Sequence, residues 1–126
     1  ATTYAEFLGR YISDAQALGA TPILVTSIER RRWKDGKIDP TLTPYADAVR
    51  KLAAEKNVPL IDMNARTIEL YERLGVDGCN TLSPMDPKDK TKIDNTHLNA
   101  KGSAVIGTIV AQELKKAVPA LAKFVK

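Results

Sequence analysis

Two short, continuous apolar segments, residues 22–28 and 58–62, constrain the fold more than any other feature of this 126-residue chain. Both are rich in branched aliphatic side chains without polar alternation, which is typical of strands buried on both faces of a parallel sheet. A helical pattern lies between them, and parallel strands joined by a helix form a right-handed crossover. The sequence therefore predicts an α/β fold. Since two strands make an incomplete sheet, we expect the remaining strands outside this chain.

Capping and stop residues mark four amphipathic helices around these strands. Each has apolar residues three or four positions apart, which is the spacing of one helical face. The predicted N-caps are Thr3, which Glu6 completes as a capping box, Thr43 with Pro44 behind it, Asn64 and Asn99. The predicted ends are Gly19, Asn57, Gly75 and Pro119.

Two polar segments, residues 29–42 and 76–97, are predicted as loops. Loops of this length in compact domains are usually functional or disordered. In open parallel sheets, ligands and reactive groups gather at the carboxyl ends of the strands. We expect the loop that begins at Glu29, the turn at residues 62–64 and residues 94–97 to meet at that edge.

The charge pattern and hydropathy argue against two classes of partner. The formal net charge is +4, but the basic residues are scattered apart from residues 30–32. A nucleic-acid interface needs a concentrated basic face or stripe. No apolar run approaches the ~18 residues that indicate a membrane span. We therefore predict neither a nucleic-acid partner nor a membrane partner.

The acidic residues of the second loop lack the spacing of a metal site. They have neither the central glycine nor the final glutamate of an EF-hand, and lysines are interleaved with them. These residues are Asp77, Asp86, Asp89 and Asp94. Cys79 is the only cysteine, so the chain has no CxxC motif. We predict no metal and no cofactor.

His97 is the only histidine, and Asp94 precedes it by three positions. A histidine that takes a proton from a weak nucleophile needs a partner that fixes its tautomer and stabilises its charged form. An aspartate can do this across a tight turn. Two plainer interpretations stay open: a histidine that only satisfies local hydrogen bonds, and an aspartate that only forms the turn.

A nucleophile for this pair is not evident in the sequence. A serine nucleophile is exposed on a strained turn between a strand and a helix. None of the candidate serines has that setting: Ser13, Ser27, Ser83 and Ser103. Cys79 with His97 and Asp94 would make a thiol triad in outline, although nothing in the sequence activates the thiol. The pair is therefore half of a catalytic site.

The segment Asp-Asn-Thr-His-Leu-Asn-Ala-Lys-Gly, residues 94–102, and the helix behind it resemble the last conserved block of the SGNH (GDSL-type) hydrolases. Residues 21–27, the Arg-Arg-Trp loop with residues 35–37, and residues 58–64 resemble the middle of the rhamnogalacturonan acetylesterase branch of that family. The resemblance implies a flavodoxin-like three-layer α/β/α sandwich with a parallel sheet. Residues 1–126 would be the C-terminal part of a single domain, with the N-terminal portion absent from this chain.

The resemblance also implies a Ser-His-Asp mechanism, with His97 as general base and Asp94 as its orienting acid. The serine belongs to an N-terminal Gly-Asp-Ser block, and an oxyanion-hole glycine and asparagine belong to two further blocks, none of which this chain contains. The implied activity is the removal of acetyl groups from a pectin-type polysaccharide by a secreted or periplasmic esterase. The expected partners are this acetylated substrate and the N-terminal portion of the enzyme, without which we expect the chain to be inactive.

Arg31, Arg32 and Trp33 are the candidate substrate-binding residues. Tryptophan stacks on sugar rings, and arginine clamps a carboxylate with two hydrogen bonds, which suits an acidic pectin backbone. A solvated loop with one anchored aromatic ring is the alternative. Two other functions stay open. One is a non-catalytic α/β fragment or sugar-binding remnant, and the other is an SGNH lipase or thioesterase. The polar loop disfavours the second, which needs an apolar acyl pocket.

Overall fold

The computed structural model describes residues 3–125, which contain the four predicted helices and the two predicted strands. The helices are α1 (Tyr4–Ala17), α2 (Thr43–Lys56), α3 (Met63–Asn80) and α4 (Ala100–Ala117), with a 3₁₀ helix at Pro119–Phe124. The strands are β1 (Leu24–Val25), β2 (Trp33–Lys34), β3 (Lys37–Ile38) and β4 (Leu60–Ile61). Within residues 3–125, no helix is both long enough and apolar enough to cross a membrane.

The predicted parallel sheet is formed by β1 and β4. Leu24 pairs with Leu60 and Val25 with Ile61. The regular ladder is shorter than the apolar segments predicted, since only two residues of each form it. Helix α2 connects the two strands, as the crossover requires.

Helices pack against both faces of this sheet, but Val25 stays 48% exposed, so β1 is less buried than predicted. On one face, Leu24 and Leu60 pack against the core of α1 and α2, where Ile12, Val49 and Leu52 are buried. On the other, Ile61 lies in a second core with side chains of α3 and α4. The buried members of that core are Ile38, Met63, Leu70, Tyr71, Cys79, Leu82 and Ile106. The three layers of an α/β/α sandwich are therefore present around two strands.

Helix α1 differs from the prediction in how much of its apolar face is covered. The Thr3–Glu6 capping box forms as predicted. Ile12 is buried, but Phe7, Tyr11 and Leu18 are 51, 71 and 87% exposed. The helical period was therefore predicted correctly. However, nothing in residues 3–125 covers the outer half of the apolar face of α1.

Two helix caps and one helix end were predicted wrongly. The N-cap of α3 is Asp62, whose side chain accepts from the Ala65 amide at 3.2 Å, and not Asn64. Helix α2 begins after Leu42, without a side-chain cap from Thr43. Gly75 adopts φ 68° and kinks α3, but a further helical segment runs on to Asn80. The second loop therefore starts later than predicted.

The first polar segment, which was predicted as a loop, contains a hairpin. Strands β2 and β3 pair antiparallel across Asp35 and Gly36, which both have positive φ (50° and 77°). Two such residues form the tight turn that matches strand twist, and Asp-Gly is a preferred pair for it. The hairpin lies beside α3, which β3 contacts.

Candidate active site

Asp94 and His97 form a hydrogen-bonded pair across a tight turn. One carboxylate oxygen, Oδ1, accepts the amide N–H groups of Thr96 at 2.7 Å and of His97 at 3.0 Å. The other oxygen, Oδ2, lies 2.7 Å from Nδ1 of the imidazole. Asp94 is thus both the turn former, through Oδ1, and the histidine partner, through Oδ2.

The electrostatics of the pair keep Asp94 ionised. Hydrogen bonds from the His97 amide, the His97 ring and the Thr96 amide hold the pKa of Asp94 at about 2, below its usual 3.8. An ionised partner at Nδ1 favours the tautomer with the proton on that nitrogen and leaves Nε2 as an acceptor. The imidazole is 77% exposed, and among residues 3–125 its ring hydrogen-bonds to Asp94 alone. Nε2 can therefore accept a proton from a group that approaches through solvent.

Asn99 and Gly102 fix the position of this turn against the rest of the fold. The Asn99 side chain caps α4 by accepting from the Gly102 amide at 2.9 Å, and it donates to the carbonyl oxygens of Thr81 and Ser83. A Cβ atom at Gly102 would lie 2.4 Å from the Leu82 carbonyl oxygen, so only glycine allows this approach. The Asn-x-x-Gly spacing thus docks α4 onto the segment that precedes the turn.

Arg31 is buried beneath the same turn, with only 4% of its surface exposed. Its Nε donates to Ser83 Oγ at 2.8 Å, and its Nη2 donates to the carbonyl oxygens of Asp94, at 3.3 Å, and of His97. Its backbone N–H donates to the Asn95 carbonyl oxygen at 2.9 Å. The first loop therefore meets residues 94–97, as predicted, although the arginine faces inward.

The other two candidate substrate-binding residues lie further along the same loop. Arg32 is exposed and forms an ion pair with Asp39 at 2.9 Å. Trp33 is half-buried in β2 and packs against the core that contains Ile61. A cavity of about 460 Å³ adjoins the His97 ring, but none of these loop residues lines it. Its walls are Asp86, Pro87, Lys88, Lys92, Ile93, Asp94, Asn95, Thr96 and His97.

None of the nucleophiles considered from the sequence reaches the imidazole. The Ser83 hydroxyl accepts from Arg31 and donates to the Cys79 carbonyl oxygen at 3.2 Å. Cys79 is 1% exposed, and burial raises the pKa of its thiol, which opposes thiolate formation. Within residues 3–125, no serine or cysteine is hydrogen-bonded to His97.

The acidic residues of the second loop bind backbone groups. Asp86 Oδ1 accepts the amides of Lys88 and Asp89, and Asp89 Oδ1 accepts the amide and hydroxyl of Thr91. Across the described part of the chain, no three His, Cys, Asp or Glu side chains are arranged to hold a metal ion.

Glu29 has a structural role at this edge. From the sequence, it is predicted only as the start of the first loop. Its carboxylate is fully buried and accepts from Asn64 Nδ2 at 3.1 Å and from backbone amides of residues 30, 41 and 42. Burial raises the pKa of Glu29, but hydrogen bonds from Arg30, Asn64 and Thr41 outweigh it and hold the pKa below its usual value. Glu29 thereby anchors the first loop to α3. A glutamate directly after a buried strand is the only sequence signal that could have indicated it.

Comparison with known proteins gives relatives of consistent kind. No protein-family model matches the chain. It is 35% identical to rhamnogalacturonan acetylesterase RhgT of Bacillus subtilis over 122 residues, which cover 91% of this chain and 53% of RhgT. It is 30% identical to the probable rhamnogalacturonan acetylesterase YesY of the same organism, over 91% of this chain and 52% of YesY. Over most of its length the chain is therefore similar to part of these rhamnogalacturonan acetylesterases, and the predicted resemblance is confirmed.

A third relative and a solved structure are also similar to this chain. A rhamnogalacturonan acetylesterase of Emericella nidulans is 28% identical over 76% of this chain and 38% of that protein. The crystal structure of protein YxiM from Bacillus subtilis superimposes with a TM-score of 0.74, at 24% identity, over 89% of this chain and 30% of YxiM. The predicted SGNH hydrolase fold is confirmed. The chain spans about half the length of RhgT and YesY.

Proposed function

We propose that the protein to which this chain belongs is a carbohydrate esterase that removes acetyl groups from a pectin-type polysaccharide. The observation that carries the proposal is the imidazole of His97, which is fixed at Nδ1 by Asp94 and open at Nε2. The names of RhgT and YesY support the substrate class. The secreted or periplasmic location stays a prediction from the resemblance.

In the proposed mechanism, a serine outside this chain attacks the acetyl carbonyl carbon while His97 Nε2 takes the proton of its hydroxyl. The imidazolium then donates that proton to the departing sugar oxygen, which leaves an acetyl-enzyme. Next, His97 takes a proton from water, the resulting nucleophile attacks the acetyl carbonyl, and acetate is released as the proton returns to serine. Asp94 stays ionised throughout and stabilises the positive charge on the ring.

Arg32 and Trp33 are the proposed substrate contacts. Arg32 lies at the surface, where Asp39 is the one ion-pair partner of its guanidinium among residues 3–125, so donors are left for a uronate carboxylate. Trp33 keeps part of its indole exposed for a sugar ring. Arg31 is buried and its guanidinium is engaged by the chain itself, which disfavours the substrate contact predicted for it.

The His97→Ala variant of the protein that also contains the nucleophile segment tests the proposal. We expect kcat for acetate release from acetylated rhamnogalacturonan to fall by about 10⁴-fold or more, because the proton relay is lost. The melting temperature should stay unchanged, since the ring is 77% exposed. Turnover close to that of the wild type would refute the mechanism.

A substrate series separates the remaining alternatives. The cavity beside His97 is lined mainly by polar and charged residues, which favours a short acetyl group over a long acyl chain. We therefore expect p-nitrophenyl acetate to be cleaved faster than p-nitrophenyl octanoate. Faster cleavage of the octanoate would favour a lipase or thioesterase. No turnover of any ester by the complete protein would favour the non-catalytic alternative.

A further inference from the structure

We propose that Arg31 is a positioning residue, which fixes the turn that carries Asp94 and His97 relative to the nucleophile. This inference rests on the proposed function. Its Nη2 donates to the carbonyl oxygens at both ends of the turn, those of Asp94 and His97. Its backbone N–H donates to the carbonyl of Asn95, within the turn. One residue of the first loop therefore binds three of the four carbonyl groups of residues 94–97.

The guanidinium also contacts groups outside the turn. Its Nε donates to Ser83 Oγ, and that hydroxyl donates onward to the Cys79 carbonyl oxygen in the last turn of α3. Its Cζ lies 5.6 Å from the centre of the Tyr71 ring, within the range of a cation–π interaction. The arginine thereby connects α3 rigidly to the turn that carries the imidazole.

The cost of this arrangement indicates that it does more than fill space. A buried charge is expensive unless it is paired. The hydrogen-bond partners of Arg31 within residues 3–125 are uncharged carbonyl and hydroxyl oxygens, and its Nη1 is buried without a partner among those residues. A core that needed only stability would favour an apolar side chain here. An arginine is explained by geometry, because its planar fork can reach several acceptors at fixed angles and a lysine cannot.

The proposed proton transfer requires that the turn be held in place, because the Asp94–His97 pair lies in a turn whose imidazole is exposed to solvent. Asp94 fixes the imidazole relative to the turn, but only a link to the core fixes the turn relative to a hydroxyl contributed from elsewhere. A displacement of about 1 Å can cost about 10²-fold in rate. Arg31 and Asn99 supply that link, since both bind the segment at residues 81–83.

The test is Arg31→Lys in the protein that contains the nucleophile segment, with Arg10→Lys as the matched control. Arg10 also stacks on an aromatic ring, at 5.4 Å from the Phe7 centroid, but on α1. We expect Arg31→Lys to lower kcat on p-nitrophenyl acetate by about 10²-fold with little change in KM, and Arg10→Lys to change neither. An unchanged kcat would overturn the proposal. A raised KM with unchanged kcat would instead make Arg31 a substrate contact.

Two further measurements keep the test decisive. The low-field proton resonance of the His97–Asp94 hydrogen bond, assigned by its loss in His97→Ala, should broaden or shift in Arg31→Lys, which a purely structural role would not produce. If Arg31→Lys does not fold, Ser83→Ala removes one anchor of the guanidinium and should lower kcat several-fold at unchanged melting temperature. Wild-type kcat in Ser83→Ala would then overturn the proposal.

The outcomes for Arg31 and for the proposed function are separable. An inactive wild type, or an active His97→Ala variant, contradicts the esterase mechanism itself. With both of those controls as expected, a normal Arg31→Lys variant contradicts only the positioning role.

Discussion

Glu29 and Asp94 are two ionised carboxylates at the same edge of the molecule, and they serve different ends. Glu29 is fully buried, and both of its oxygens accept from amide or hydroxyl groups that cannot change their protonation state. Asp94 gives one oxygen to backbone amides and the other to an imidazole that is 77% exposed. Hydrogen bonds lower the pKa of both groups.

A lowered carboxylate pKa therefore does not mark a catalytic site on its own. Glu29 is saturated by its own chain and has no capacity left for a substrate or a proton relay. The partner of Asp94 is a titratable ring with one nitrogen unused within residues 3–125. An exposed partner with a free nitrogen, rather than the carboxylate, distinguishes the proposed active site from the structural site.

The largest expected effect is that of Asp94→Asn on activity in the protein with its nucleophile segment. An asparagine keeps an oxygen for the amides of Thr96 and His97 but no longer selects the tautomer that leaves Nε2 free. We expect kcat for acetate release to fall by about 10⁴-fold without loss of folding.

Asp89→Asn is the matched control for that variant. Asp89 lies in the same loop and also accepts the amide two residues ahead, that of Thr91, but it does not line the cavity beside His97. We expect its kcat to equal that of the wild type. Similar losses in Asp89→Asn and Asp94→Asn would show that the loop conformation, and not the imidazole partner, controls the rate.

A smaller effect, on stability alone, is expected for Glu29→Gln. The substitution replaces one acceptor oxygen with an NH₂ donor. In the place of Oε2 this donor would face the Leu42 amide, and in the place of Oε1 it would face the Arg30 and Thr41 groups. We expect the free energy of unfolding, measured by urea denaturation, to fall by about 3 kcal/mol, because buried donors lose a charged acceptor. Glu55→Gln, an exposed residue 3.8 Å from Lys51, should change it by less than about 0.5 kcal/mol. Equal effects would contradict the structural role of Glu29.

The smallest expected effect is a change in the titration of Asp94. Because folding lowers its pKa, its contribution to stability is fully present above pH 3.8 and is lost as the pH falls towards about 2. Carbon-13 NMR of the side-chain carboxyl should report this midpoint. In His97→Ala the midpoint should rise but stay below 3.8, because the amide hydrogen bonds remain. A wild-type midpoint near 3.8 would mean that the turn is open in solution.

Local sequence signals predicted the elements that depend on local chemistry. The Thr3–Glu6 capping box, the left-handed Asn57 that ends α2 and the Asn99 cap of α4 need only neighbouring residues, and all three are confirmed. The parallel pairing of residues 24–25 with 60–61 followed from hydrophobic pattern and crossover geometry.

The wrong predictions concern positions where distant residues compete with local preference. Asn64 does not cap α3 because its side chain binds Glu29, which leaves the cap to Asp62. Gly75 permits a kink with positive φ, but packing of the following turn, with Cys79 buried, continues the helix. No propensity at these positions carries that information.

The amino-acid sequence alone determined the α/β class, the helical periods, the family resemblance and the pairing of His97 with Asp94, because each depends on residues close together in the chain. Contacts between distant residues account for the hydrogen bonds that saturate Glu29 inside the fold. They also place Arg31 beneath the turn, while Arg32 stays at the surface. Adjacent arginines look alike in sequence. Which of them is buried depends on contacts with Ser83 and residues 94–97, more than fifty positions away.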